Sequence, residues 1–392
     1  MSKKRIPILV AILVLLSLAT NLLNPSAVAY GAVPAKPALA RDELVYRPAK
    51  NIRVTTLAGT GSHGNTNGES ASFNLPYALA GTSARLYVAD TYNNLIREVK
   101  KNGTNLVAGD IIDYDSYRFP KGYYRDGGAN IALFNRPNGL VVNGKGQVFI
   151  TDSGNNAIRV QESGMVYTLA GGEAGFVDGS YEKARFNGPS AVAIDRFGNL
   201  YVADTLNHCI RKVFPNNSVN TIAGIPGKPG FADARSNRAM FNSPMGIAVS
   251  QDGLTVYVAD TGNHRIRVIE NGAVRTLAGS TTKKDADGDP LGGYADGPGK
   301  SAMFNLPFGL SYVDGALVVA DSGNNRIRAV TPGGEVVTLA GSGEPGSVDG
   351  RAKQAAFHLP KGVFVTDNVV YIADTGNNQI RRMPLDMDIF ER

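Results

Sequence analysis

Four histidines, His63, His208, His264 and His358, one cysteine, Cys209, and 34 acidic residues are the groups from which acid–base or metal chemistry could be assembled. A zinc centre needs three or four ligands converging at about 2 Å. His208 and His264 occupy the same place in a recurring segment whose other copies carry Asn, which marks them as turn residues. His358 replaces the Asn that follows Phe in five other copies, and His63 sits in a Gly-rich stretch. Spread over separate repeats, the four have no ligand spacing. Asp285, Asp287, Asp289 and Asp296 fall at positions 1, 3, 5 and 12 of a calcium loop, but position 6 is Pro290 where Gly is required and position 12 is not Glu. No Gly-x-Ser-x-Gly elbow, phosphate loop or His-Glu-x-x-His is present. The residues predict no metal and no cofactor.

What recurs is longer than any catalytic motif. Val258-Ala259-Asp260-Thr261-Gly262-Asn263-His264-Arg265-Ile266-Arg267 has five relatives, centred on Asp90, Asp152, Asp204, Asp321 and Asp374, at Asp-to-Asp steps of 62, 52, 56, 61 and 53 residues. Such a period signals a repeat architecture. Each copy reads as a hairpin: a β-prone run, a Ser/Thr-x-Asn turn, then Ile-Arg opening the return strand. The Asp is expected to accept N–H bonds within its own turn. Leu-Ala-Gly or a close variant follows, ending at Gly59, Gly109, Gly171, Gly224, Gly279 and Gly341. Five of the next loops carry an Asp (126, 178, 233, 296, 349) eight residues before a Phe, and a Pro stands three after each Phe; the first loop has Asn67 instead and is shorter. A further strand follows the Pro. Four strands per repeat describe propeller blades.

The ends fix the closure. An outer strand stands alone near Arg53, and the sixth unit lacks its own. Joining them closes the ring and pairs strand edges that would otherwise be exposed. The sequence therefore predicts an all-β, six-bladed β-propeller of four-stranded antiparallel blades, closed by the N-terminal strand completing the last blade.

At these residues the chain resembles the NHL-repeat proteins, and the bacterial, secreted ones in particular. Asn207-His208 and Asn263-His264 match the first two letters of the family's Asn-His-Leu run; the other copies have Asn-Asn. The resemblance covers about Arg53 to Met383. It implies a binding scaffold, because most such propellers bind; similar six-bladed folds include a zinc lyase that completes peptide amidation and calcium-dependent lactonases.

A site on a pseudo-symmetric ring must lie where the copies differ. The six Asp (Asp90, Asp152, Asp204, Asp260, Asp321, Asp374) and the arginines seven residues on are alike in all repeats and are assigned to the frame. The residue after each Pro differs in all six: Tyr77, Asn138, Ser190, Met245, Phe308 and Lys361. Two long loops differ as well, and the first, 110–133, brings Tyr117 and Tyr124 among other aromatic and charged residues. These eight are the expected ligand-binding residues, on the face that carries the long connections and all four His.

Residues 1–29 read as a signal peptide: Lys3, Lys4 and Arg5, an apolar run from Ile6 to Ala19, and Ala27-Val28-Ala29 as cleavage site. An uncleaved signal anchor is the alternative. Residues 30–50 are an Ala/Pro linker, 51–385 the propeller and 386–392 a tail. Removing 1–29 takes three of 40 basic and none of 34 acidic residues, leaving a net charge of +3 with mixed signs. That argues against nucleic acid as partner. The reading is a secreted or cell-surface, monomeric, non-catalytic propeller recognising an extracellular protein or carbohydrate. The alternative is a divalent-metal-dependent enzyme of lactonase or amidating-lyase type with its site at the channel mouth.

Overall fold

A computed structural model describes residues 51–386, Ser83 and Thr282 apart. The expected signal segment and linker, and 387–392 of the tail, lie outside the described residues. Six antiparallel sheets follow one another. Blade 1 holds Ala78–Thr82, Arg85–Asp90, Leu95–Lys100 and Gly103–Ala108, from the inside outward. Blades 2 to 5 repeat the plan from Pro137–Val142, Pro189–Ile194, Gly246–Val249 and Pro307–Val313. Blade 6 takes Gly362–Thr366, Val369–Asp374 and Gln379–Pro384 from the end of the chain and Arg53–Ala58 from its start, pairing Thr55 with Arg382 and Thr56 with Arg381. The chain is a closed six-bladed β-propeller.

Sequence pattern follows depth. Second strands such as Leu200–Asp204 are buried on both faces and read as unbroken apolar runs, whereas the outer strand Ala273–Ala278 begins by alternating exposed and buried residues. The apolar core is six clusters, one between each pair of adjacent blades. Inner strands meet backbone to backbone. A Cβ on Gly246 would stand 1.8 Å from the Phe308 carbonyl oxygen, and one on Gly362 would stand 2.5 Å from that of Tyr77. The Leu-Ala-Gly signature also has a physical reason. Each outer strand bulges before its Ala, and the Gly follows at φ between +89° and +108°, against the carbonyl of the preceding turn. Outer edges are partly covered: two-residue strands pair with them in blades 2, 4 and 6, and single bridges in blades 1, 3 and 5.

The repeated Asp corrects an expectation. It does not bond the backbone N–H groups of its own turn. Asp260 Oδ1 accepts the N–H of Asn242, in the loop that enters the blade, and Oδ2 accepts Asn263 Nδ2 and Arg267 Nη1. All six copies do the same. Each Arg is fully buried on the Phe of its blade, with guanidinium carbon 5.0–5.4 Å from the ring centroid. The Asp is thus a tie between loop, turn and third strand.

Candidate ligand-binding site

The frame residues account for themselves. Arg–Asp distances within the second and third strands are 2.6–2.8 Å. In five blades the loop Asp adds a second ion pair at 2.6–2.7 Å. Burial raises the carboxyls of Asp90, Asp152, Asp260 and Asp321 to about 6, with the arginine, the loop N–H and the Asn amide pulling the other way. They remain ionised at neutral pH and face no open space.

Two further ties run between blades. The hydroxyl after each Asp donates to the Pro carbonyl of the next blade, as from Thr91 to Pro137 and, across the closure, Thr375 to Pro76. Three residues further along, Asn94, Asn156, His208, His264, Asn325 and Asn378 each accept the N–H of the residue preceding the next Pro. Those acceptors sit in the left-handed region, as do the residues they bind. Nδ1 of His208 and of His264 serves where Asn Oδ1 serves elsewhere, and burial lowers both imidazoles.

The post-Pro ring is assembled only in part. Lys361 Nζ lies 3.6 Å from the Tyr77 ring centroid and 4.7 Å from that of Phe308, and the two rings meet edge to face at 5.8 Å. Burial, with no carboxylate to offset it, lowers the Lys361 amine to about 7, and burial raises the Tyr77 phenol. Asn138 Oδ1 is buried without a partner. Ser190 instead joins the frame, bonded to Thr205, and Met245 is half-buried. Tyr124 packs its ring on Arg159 and its hydroxyl on Thr168, at the edge of blade 2, while Tyr117 stands 81% exposed.

The open cavity lies beside this ring. It measures about 620 Å³, between blades 1 and 2, and its wall includes Tyr92, Phe119, Lys121, Tyr123, Arg136 and His63. None of the eight expected residues lines it; Tyr77 reaches it through Tyr92, at 6.1 Å between ring centres. The roof is a hairpin. Asp115 and Phe119 pair across its tip, Asp115 Oδ1 accepts the N–H groups of Tyr117 and Phe119, and Asn94 Nδ2 holds the Pro120 carbonyl. The Arg136 guanidinium stands over Tyr92 at 5.4 Å, and His63 faces Phe119 at 6.0 Å.

The second long loop is the same hairpin, 170 residues on. Asp285 pairs with Asp289, its Oδ1 accepts the N–H groups of Asp287 and Asp289, and His264 Nε2 meets the Pro290 carbonyl. Asp285 is thereby occupied in a turn and Asp296 in the Arg328 ion pair. Among the described residues, no group of three His, Cys, Asp or Glu is placed to hold a metal ion. The comparison also separates frame from site. Asn74, Pro120, Gly122 and Asn135 match Asn242, Pro290, Gly292 and Asn305. Tyr92, Phe119, Lys121, Tyr123 and Arg136 stand where the second half has Gly262, Asp289, Leu291, Gly293 and Leu306. Each of these five wall residues is thus chemically unlike its counterpart.

Fold, repeat and turn chemistry define an NHL-type propeller. Residues 120–331, more than half of the chain, match the family described as Teneurin NHL domain, and the chain belongs to it. It is 31% identical over 279 residues to the chloroplastic protein SUPPRESSOR OF QUENCHING 1 of Arabidopsis thaliana, covering 55% of this chain and 26% of that protein. It is 28% identical over 360 residues to NHL repeat-containing protein 2 of Gallus gallus, covering 87% and 43%. The chain spans less than half the length of these relatives. A crystal structure described as an auxiliary nutrient binding protein from Bacteroides ovatus shares the fold with TM-score 0.61 and 18% identity, over 85% of this chain and 76% of that one.

Proposed function

We propose that the protein is a non-catalytic binding propeller that takes a saccharide in the cavity under the 110–124 hairpin. One observation carries this reading: the cavity wall differs from its counterpart in the second half at Tyr92, Phe119, Lys121, Tyr123 and Arg136, while the surrounding frame is kept. Aromatic faces with a few polar groups in a concave site suit a ring that is apolar on its faces and hydroxylated at its rim. The basic and apolar run at the N-terminus supports placing the propeller outside the cytoplasm, where saccharides are met. The test replaces Tyr92 by its own counterpart. Screening on a glycan array identifies a saccharide, and calorimetry then compares the wild type with Tyr92→Gly. Binding should fall at least about tenfold with an unchanged melting temperature. Equal binding by the variant, or protection from hydrogen exchange confined to the opposite face, would overturn the assignment.

A further inference from the structure

The cavity differs from its counterpart in charge as well as in ring content. Lys121, Arg136 and His63 line it, and Leu291 and Leu306 occupy the places of the first two in the second half. Two carboxylates come near, and both are engaged. Asp113 holds Lys121 at 2.8 Å and accepts the Tyr123 hydroxyl, and Asp115 Oδ1 closes the hairpin turn. Arg136 is different. Its guanidinium lies over the Tyr92 ring, and no carboxylate among the described residues is within ion-pair distance of it. A guanidinium fork beside an aromatic face is built to hold a planar anion in two parallel hydrogen bonds. Its backbone position is not the reason for an Arg there. Arg136 has φ 52° and Leu306 has φ 50°, so the same turn is made with an apolar side chain.

We infer that the saccharide carries a carboxylate, as uronic acids do, and that Arg136 holds this group at the edge of the Tyr92 ring. The inference rests on the reading of the cavity as a saccharide site. Arg136→Leu tests it with a residue that the same backbone already accepts at 306. Calorimetry on the full chain would compare an oligogalacturonate with the neutral galactose oligomer of equal length. The wild type should bind the acidic oligomer at least about tenfold more tightly, and added salt should reduce that margin. Arg136→Leu should lose the margin, its affinity for the acidic oligomer falling at least about tenfold further than its affinity for the neutral one. Equal binding of both oligomers by the wild type, or a margin that survives Arg136→Leu, overturns the carboxylate assignment and leaves the cavity as a neutral-sugar site. Binding of neither oligomer, with the wild type silent on the whole glycan array, overturns both readings.

Discussion

Lys361 shows how much of a residue's role depends on neighbours that sequence does not reveal. That six different side chains follow the six prolines is plain in the sequence. That Tyr77 and Phe308 would close around the amine of Lys361 is not, because the contact joins blades 5, 6 and 1. Enclosure lowers the amine from 10.5 to about 7 in the folded protein. Between these values the unfolded chain holds a proton that the folded one has lost, so this group's contribution to stability increases with pH across that window. Below about pH 7 both states are protonated and the cost of burying the charge is felt in full. Lys361→Met should therefore be more stable than the wild type at pH 6, by a margin that shrinks toward pH 10. Urea midpoints at pH 6, 8 and 10 measure it; a margin constant with pH would show that the amine is solvated in the folded state.

At the scale of the blade, the Asp, Arg and Phe of each repeat were legible as a unit, because six copies at one spacing cannot be chance. The partners of the Asp were not, since the N–H it accepts lies 16–18 residues upstream. Blade 1 then gives an internal control. It has Asn67 for the loop Asp and Leu106 for the outer-strand Thr that other blades bond to that Asp, and Arg97 Nε is left unpartnered. Asp260→Ala leaves Arg267 with Asp233, whereas Asp90→Ala leaves Arg97 with carbonyl oxygens alone. The first should cost about 3 kcal/mol and the second about 5 kcal/mol. Urea denaturation of the two variants decides it, and equal losses would mean that the loop carboxylates contribute nothing. The hairpins were harder to read. The sequence presents 110–124 as aromatic and 280–294 as acidic, so their common plan becomes visible only in their shared hydrogen bonds and the 170-residue offset.

The whole molecule repeats at half its length. Blade steps of 62 and 52 residues return as 61 and 53, so three blades are followed by three of the same plan. The ring itself was legible from a surplus outer strand at one end and a missing one at the other. The ties across the junction include the Arg53–Ala58 strand pairing, the Thr375–Pro76 bond and the Asn378 bonds to Leu75 and Gly61. Removing Arg53–Ala58 leaves only isolated side-chain bonds such as Thr375–Pro76 and Asn378–Leu75 and opens the edge of Gln379–Pro384, and Asp349 loses its bonds to Thr56. The truncated protein should melt at least about 5 °C lower and aggregate on heating. Melting at the full-length temperature would show that inner-strand packing alone holds the ring.

The closing pair also settles which way the molecule can be presented. Thr55 lies opposite Arg382 in an antiparallel pair, so Arg53 and Pro384 come together at one rim. The last strand runs to that rim from the Asn378 turn, whose side chain borders the cavity. The strand ends Arg53 and Pro384 therefore lie on the side turned away from the cavity. A tether leaving from either strand end would start on the rim opposite the one that the cavity opens on.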